Sequence, residues 1–576
     1  MSSSENTNSG GFRYQWMTFG DLNGFFGVMF DNVTVLAFLA FILTGIFDMP
    51  GDIVYGKIFP GTAFGVLVGD AIYTWLAFVQ AKRQKKNVTA MPLGLDTPST
   101  IGIAFTVLGP AFIGYKNAGM TPDTAALHTW YVGMACMIYC GLFKVAGAFI
   151  GGWLSKIVPQ AGLVGSLAGV GIALLCVVPM LEIMSNPLVG LVALGLILYN
   201  MVARIKLPGN MPSVLMAVVI GTVLYYVFGA VGSSLGVSLV GLKFATPEMD
   251  LHLGLPWPTL GFVHGLRDGL MYLPVIIPFS ILTIIGGVNV TESARLAGDN
   301  YDTKEILWVE AASTLVAGIC GGVAQTTPYI GQPAFKKMDC RAGYTLLTGL
   351  FVGFCGIIGI IKFIVDAVPT AALAPILCFV GIDIVVQAFA CCKKSHFPAV
   401  ALAFVPNICR VLAIKFDYSS GYQALIEQLT ADPGRYLDEK LVIPAMANGF
   451  ILTAMMWGAF LALMIDRRLK ECSVYLFILA GLSFFGIIHS VNPNGSMYIP
   501  MNLSPVEQAI PYQFALGYAL LGLMMFALSF TKEAKEAPEG EEEAAPAAVE
   551  TAAASEAEAP AEVKLEKAEA EKAPAV

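Results

Sequence analysis

The chain has 576 residues, of which 56% are hydrophobic and 13% charged, with a mean hydropathy of +0.71. Soluble globular domains carry about 25% charged residues, so this composition excludes a soluble domain and indicates a polytopic membrane protein. The formal charge of −8 lies in residues 531–576, which contain 13 Glu and 5 Lys. The apolar body is therefore neutral, and no nucleic-acid partner is expected.

The opening segment, residues 1–20, is polar and lacks the features of a cleaved signal peptide, so we expect a cytoplasmic N-terminal segment. Apolar stretches of about 17 to 25 residues follow, the length that a helix needs to cross a bilayer. Sixteen candidates lie near 24–47, 61–81, 87–112, 125–150, 160–181, 187–203, 212–230, 271–297, 305–323, 324–338, 343–366, 370–390, 397–413, 441–465, 473–489 and 512–530. Beyond them, the Ala/Glu-rich composition of 531–576 predicts a disordered tail.

Lys and Arg are concentrated in alternate connections between these stretches. One set of connections holds seventeen basic residues, from Lys82 to Lys470, and the opposite set holds seven. Because cytoplasmic loops retain positive charge, we expect a cell-membrane protein with both termini in the cytoplasm. Lys144, Lys362 and Arg410 fall inside candidate spans, and we expect them to extend towards the interface as structural residues.

Two candidate spans are interrupted at their centre by Pro and Gly. The first reads NVTAMPLGLDTPSTIGIAF over 87–105 and the second GGVAQTTPYIGQPAF over 321–335. Thr97-Pro98 aligns by eye with Thr327-Pro328, and the basic loops give the two segments opposite directions. Paired broken helices in two inverted halves are typical of the binding site of a secondary transporter. Pro and Gly free backbone groups that must line a protein-enclosed cavity, where half-helix N-termini attract polar or anionic solutes.

Several polar residues in or beside these segments are candidates for solute binding. Asp96 lies at the first break, where its carboxylate either contacts the solute or caps the following helix. The set predicted to bind solute is Asp96, Thr97, Ser99, Asn289, Thr327 and Tyr329. Ionisable residues within spans indicate function by default. Asp31 and Glu292 are therefore candidates for ion coupling, although Glu292 lies three residues before Arg295 and equally suits an interfacial ion pair.

Three stretches resemble the nucleobase–ascorbate permeases, also called the xanthine/uracil permease family. They are GGVNVTESARLAGD (286–299), WVEAASTLVAGICGGVAQTTPYIG (308–331), and APILCFVGIDIVV with FPAVALAFVPNI (374–408). The resemblance implies an all-α fold of seven plus seven inverted spans, with core and gate domains and short strands in the two broken segments. That family commonly has a glutamate midway along span eight that binds the base, whereas this chain has Ile285 there and Asn289 one turn later.

These observations predict six regions and one leading function. The regions are a cytoplasmic segment (1–20), a first inverted repeat (21–230), an extracytoplasmic loop (231–270), a second repeat (271–470), a C-terminal transmembrane hairpin (471–530) and the tail (531–576). The predicted function is an ion-coupled permease for a small nucleobase-like or organic solute. The alternative is an inorganic or carboxylate anion carrier of the sulfate or bicarbonate type on the same fold.

The sequence also predicts what the protein binds. The expected partners are the solute, a coupling proton or sodium ion and the lipid bilayer. The monomer and the homodimer are both left as alternatives. No cofactor or metal is predicted, because no nucleotide-binding motif or Cys/His ligand spacing occurs in the sequence. An enzyme is not expected, since the spans contain no recognisable pair of nucleophile and base.

Overall fold

The computed structural model describes residues 12–157, 159–205, 207, 213–235, 253–329, 331–390, 392–415, 439–492 and 495–532. From residue 533 onward the predicted disordered tail lies outside the described residues, as do residues 236–252 of the predicted loop.

The first half of the chain forms seven helices and one short strand within the described residues. In chain order they are Gly20–Ile46 (α1), Gly51–Gln84 (α2), Leu93–Leu95 (β1), Thr97–Asn117 (α3), Pro122–Ile157 (α4), Gln160–Ser185 (α5), Pro187–Val202 (α6) and Ser213–Leu235 (α7).

The second half repeats this order, and a hairpin follows it. Its elements are Gly261–Leu296 (α8), Thr303–Ile319 (α9), Thr326–Pro328 (β2), Gln332–Lys337 (α10), Gly343–Ile357 with Ile360–Ala367 (α11), Thr370–Ala390 (α12), Lys394–Lys415 (α13) and Glu439–Ala447 with Phe450–Ile465 (α14). Leu469–Phe484 (α15) and Ala509–Leu528 (α16) form the hairpin, which packs on α14.

Ten helices in the described part of the chain are long and apolar enough to cross a membrane. Helices α11 and α14 are bent by 90° and 82°, and they bring the number to 12 if each is one span. The remaining predicted spans coincide with the shorter helices α6, α9, α10 and α15. The prediction of a helical membrane protein is thereby confirmed.

Strands β1 and β2 pair antiparallel, with Gly94 opposite Thr327. Each strand follows the second helix of its half, and equivalent strands that run in opposite directions are what an inverted repeat produces. The sequence match of Thr97 with Thr327 is wrong in register, because Thr97 begins α3 whereas Thr327 is the middle residue of β2. Secondary structure, which the by-eye match ignored, decides which residues are equivalent.

The helices form two packed groups around this pair of strands. Helices α1 to α4 pack with α8 to α11 and enclose the strands, whereas α5 to α7 pack with α12 to α14. The predicted division into core and gate domains corresponds to these groups. Prolines explain why the helices break here, since Pro92 and Pro98 flank β1 and Pro328 ends β2, and proline cannot donate to a helical hydrogen-bond ladder.

Candidate functional site at the paired strands

The pairing of the two broken segments extends beyond the strands themselves. Asp96 N donates to the Gln325 carbonyl at 2.9 Å, and Tyr329 N donates to the Pro92 carbonyl, also at 2.9 Å. Both segments are buried along most of their length. Their backbone groups thus satisfy one another inside the helical body, as irregular backbone at membrane depth requires. Residues 90–96 and 324–328, in the two predicted broken segments, are non-helical and lie close together, so the predicted interruption of both helices is confirmed.

A neutral amide from α1 holds the outer edge of β1. Asn32 Oδ1 accepts a hydrogen bond from Leu95 N at 2.9 Å, and Asn32 Nδ2 donates to the Val28 carbonyl at 2.9 Å. The Asn32 side chain is fully buried. An unpaired backbone N–H at this depth would carry a desolvation penalty, so Asn32 completes the hydrogen bonding of the strand.

Tyr329 and Asp31 meet on the neighbouring side of the strand pair. The Tyr329 hydroxyl donates to Asp31 Oδ2. The tyrosine ring lies against Gly94, where an added Cβ would stand 2.4 Å from ring atom Cε2 and from the hydroxyl oxygen. Only glycine leaves room for the ring at this position. The structure therefore brings together Tyr329, a predicted solute ligand, and Asp31, a predicted ion-coupling residue.

Asp96 caps helix α3. Its Oδ2 accepts a hydrogen bond from Ser99 N at 3.0 Å, and the Ser99 hydroxyl approaches the Asp96 carbonyl oxygen at 3.3 Å. Thr97 and Ser99 are buried in the first turn. Of the two interpretations of Asp96, the capping role is thus present in the structure. The positive end of the α3 dipole is already partly compensated by this carboxylate.

Strand β2 is held on its outer side by charge and hydroxyl groups. Lys144 Nζ on α4 lies 2.9 Å from Glu310 Oε1 on α9 and donates to the Thr326 carbonyl at 2.8 Å. The Thr326 hydroxyl lies 2.5 Å from Ser313 Oγ and 3.3 Å from Thr314 Oγ1, both on α9. Lys144 and Glu310 are 1% and 0% exposed. Lys144 and Glu310 form an ion pair by distance, although the angles between their atoms are not those of a hydrogen bond.

The expectation that Lys144 extends to the membrane interface is wrong. Its ammonium turns inward, because Glu310 and the Thr326 carbonyl offer it partners that lipid cannot. Arg410 differs from the expectation in the same way, since its guanidinium donates to the Phe105 carbonyl at 2.5 Å. Sequence reasoning missed the Lys144–Glu310 pair. The signal was present as two ionisable residues in the middle of apolar stretches.

The remaining predicted residues are divided by the structure. Thr327 lies in β2 with 9% of its surface exposed. Asn289 on α8 is exposed. Glu292 is exposed near the end of α8 and forms an ion pair with Arg295 at 2.9 Å. The interfacial alternative for Glu292 thus has a partner in the structure.

A carboxylate does reach the site side of α8, but it comes from α9. Glu310 Oε2 lies 2.9 Å from where a Cβ on Gly287 would stand, and Pro328 Cγ lies 3.8 Å from the same point. Gly287 is two residues from Ile285, the position at which the nucleobase–ascorbate permeases commonly have their acid, so the two residues lie on nearly opposite faces of α8. Glu310 therefore does not take the place of that acid, and it is paired with Lys144.

Two further buried polar groups beside the strands make no hydrogen bond of good geometry among the described residues, although one faces Leu93 of β1 and the other faces Asp96. They are both carboxyl oxygens of Asp70 on α2 and the amide of Gln325, which precedes β2. In the part of the chain that the structure describes, no group of three or more His, Cys, Asp or Glu side chains has the arrangement of a metal site. Polar chemistry here thus consists of carboxyl, amide, hydroxyl and ammonium groups.

Comparisons with known proteins give distant structural likenesses. No family model matches the chain, and no curated protein matches it. The overall structure of SLC26A9 aligns with a TM-score of 0.48 and 12% identity over 68% of this chain and 62% of the other. The transmembrane domain of the cyanobacterium bicarbonate transporter BicA gives 0.44 and 16% over 69% of this chain and 98% of that one.

A third solved structure, the murine anion transporter Slc26a9 in the inward-facing state, gives a TM-score of 0.44 and 13% identity over 72% of this chain and 70% of that chain. The first of these three alignments covers 62% of the SLC26A9 chain, which is less than two thirds of its length. None of these three structures is a nucleobase–ascorbate permease, so the family resemblance of the sequence is not confirmed. At such identities and TM-scores, substrate and family are not shown.

Proposed function

We propose that this protein is an ion-coupled secondary transporter that moves a small anion past the paired strands by alternating access. One observation carries the proposal: two broken segments from inverted halves pair antiparallel inside a body of apolar helices. Such a pair supplies polar backbone and side chains at a depth where lipid supplies none. The group of helices that encloses the strands and the group formed by α5 to α7 with α12 to α14 are suited to move relative to each other.

The choice of an anion rests on how the carboxylates are engaged. Asp96 caps α3, Asp31 accepts from Tyr329, and Glu310 is paired with Lys144. A neutral nucleobase held by a carboxylate clamp would need one of these to be free, or it would have to reach Asp70, which is fully buried against Gly349 of α11. Hydroxyl groups such as that of Thr327 are the donors that remain, and such donors bind an anion.

The proposed solute ligands are the residues at the strand pair, with Thr327 as the one tested first. A nucleobase-like organic solute is the second candidate, and it is favoured by the resemblance of residues 286–331 to the xanthine/uracil permeases. The two candidates differ in what they require of the site. A base needs a hydrogen-bond acceptor such as a carboxylate, whereas an anion needs donors.

Uptake into proteoliposomes that contain the full chain distinguishes the two candidates. The probes are radiolabelled sulfate, bicarbonate, uracil and xanthine. We expect saturable uptake of at least one anion, lowered about ten- to hundredfold by Thr327→Val, because one hydrogen bond in a desolvated site is worth about 1–3 kcal/mol. Thr222→Val on α7 is the matched control, since its hydroxyl has no partner in the described residues.

Uptake of uracil or xanthine without either anion would establish the second candidate instead. No uptake of any of the four probes would contradict transport of these solute classes. Equal kinetics for Thr327→Val and the wild type would place the solute away from β2.

The predicted topology and assembly belong to the same proposal. The basic connections support a cell-membrane protein with both termini in the cytoplasm and with repeats near 21–230 and 271–470. A reporter fused after Phe530 tests this arrangement, and an external signal would contradict it. Cross-linking in intact membranes tests the homodimer.

A further inference from the structure

We propose that Lys144 alternates between Glu310 and Asp96, and that the coupling proton resides on whichever carboxyl group Lys144 leaves. This inference rests on the proposed transport function and names the residues that couple it to protons. It involves the buried groups behind β2, which are distinct from the hydroxyls proposed to contact the solute.

The charges of Lys144, Glu310 and Asp96 do not cancel when both carboxyl groups are ionised. Lys144 and Glu310 are buried, and Asp96 lies close to them, because it follows Leu95, the residue opposite Thr326, whose carbonyl accepts from Lys144 Nζ at 2.8 Å. One ammonium and two carboxylates carry a net charge of about −1, and burying an uncompensated charge is strongly unfavourable. One proton on either carboxyl makes the group neutral. The proton is therefore a component of this site.

The carboxyl groups of Glu310 and Asp96 have different neighbouring side chains. Glu310 faces Lys144 from α4, Asp96 from the start of α3, Thr283 from α8 and Tyr73 from α2. Asp96 has its own cap bond from Ser99 N. No cation other than Lys144 interacts with either carboxyl among the described residues. One ammonium thus serves two acids, and a protonated acid releases it to the other.

The position of Lys144 links the proton to strand β2, where the solute is proposed to bind. Lys144 also donates to the Thr326 carbonyl, and Thr326 is the residue opposite Leu95 in the strand pair. Movement of the ammonium from Glu310 towards Asp96 therefore changes what holds β2. When Glu310 takes up a proton from one aqueous phase, one O–H bond forms there and the pair with Lys144 breaks. Asp96 releases its proton to the other aqueous phase and pairs with Lys144, so the site stays neutral without any redox step.

Glu310→Gln tests the inference, because it mimics the protonated carboxyl at nearly constant volume. In proteoliposomes, wild-type accumulation of radiolabelled sulfate should rise with an inward proton gradient. In Glu310→Gln the accumulation should fall to the level without a gradient. Lys144→Arg keeps the charge and should retain part of the gradient response. Glu305→Gln, on the same helix but in an exposed pair with Arg83, is the matched control and should behave as wild type.

A second readout does not depend on transport. Infrared difference spectra of the detergent-purified protein between neutral and acidic pH should show a carboxyl band that Glu310→Gln removes or shifts and Glu305→Gln leaves unchanged. The elution profile of each variant on size exclusion verifies that it is folded.

The outcomes separate this inference from the proposed function. If the wild type transports none of the probes but the infrared band depends on Glu310, the transport proposal fails and the proton site stands. If sulfate accumulation in Glu310→Gln still follows the proton gradient, or if the infrared spectra of Glu310→Gln and wild type coincide, the proton site is overturned. A sodium gradient that drives uptake equally in both proteins would also overturn it.

Discussion

Strand β1 and strand β2 occupy equivalent places in the two halves of the chain, but different chemistry holds their outer edges. A neutral amide, Asn32, satisfies β1, whereas an ammonium, Lys144, and the hydroxyls of α9 hold β2. The helices that follow differ as well, since α3 extends over Thr97–Asn117 with a carboxylate cap and α10 covers only Gln332–Lys337.

This difference shows that inverted symmetry of the backbone does not extend to the electrostatics. Two equivalent strands can share a register and still respond differently to a proton, because only one of them contacts a charged side chain that has alternative partners. We expect a change in protonation to move β2 and to leave β1 in place. The predictions below test that assignment in order of expected effect.

The largest effect is expected from Lys144→Ala, which leaves Glu310 buried without its counter-charge. Breaking one side of a buried ion pair costs about 3–5 kcal/mol, whereas replacing both members by apolar residues is often close to neutral. The unfolding midpoint in detergent should therefore drop strongly for Lys144→Ala and recover in the double variant Lys144→Met with Glu310→Leu. Equal losses in the single and double variants would show that the pair acts through packing alone.

On the β1 side, Asn32→Leu removes the acceptor for Leu95 N and should destabilise by about 1–3 kcal/mol, the desolvation penalty of an orphaned donor. The loss should not depend on pH between neutral and mildly acidic conditions, since no charged group is involved. Asn289→Leu, at an exposed position of α8, is the control and should change the unfolding midpoint by less than about 0.5 kcal/mol. A strong pH dependence of the Asn32→Leu loss would contradict the neutral character of this edge.

The contact between the strands and Tyr329 is tested by Gly94→Ala. The added methyl group would overlap the tyrosine ring, so we expect a loss of about 1–2 kcal/mol from overpacking. At Gly195 on α6, an added Cβ meets no atom within 4 Å, and Ala there should stabilise the helix by about 0.5–1 kcal/mol. Opposite signs for these two substitutions in thermal unfolding are the expected result. The same sign for both would mean that the ring moves aside freely.

The smallest effect is expected at the surface pair of Arg83 with Glu305. Its N–O distance of 2.9 Å equals that of Lys144 with Glu310, but its side chains are 58% and 32% exposed. Solvent screening reduces such a pair to about 0–1 kcal/mol, so Arg83→Ala should barely shift the unfolding midpoint. Added salt should remove whatever shift remains. A loss as large as that of Lys144→Ala would show that burial does not separate the two pairs.

Part of the site could be predicted from local sequence. Pro92, Gly94 and Pro328 lie in the two non-helical segments and Pro98 lies at the start of α3, so the breaks coincide with residues that disfavour a helix. Pro278 and Pro375 lie inside α8 and α12, so proline alone does not decide where a helix breaks. The capping role of Asp96 is likewise local, since an acid immediately before a helix start accepts from the N–H three residues on. The register between the halves was missed, because short polar motifs match in letters without matching in secondary structure.

The sequence alone determined that this is a helical membrane protein with two broken segments, because hydropathy, span length and proline positions are properties of contiguous residues. The tertiary structure alone decided which side chains meet there. Lys144 and Glu310 are 166 residues apart, and Asp31 and Tyr329 are 298 apart. Whether such residues meet depends on the rotation and packing of whole helices. The same packing places the Lys144 ammonium against the buried Glu310 carboxylate and leaves Asn289 exposed.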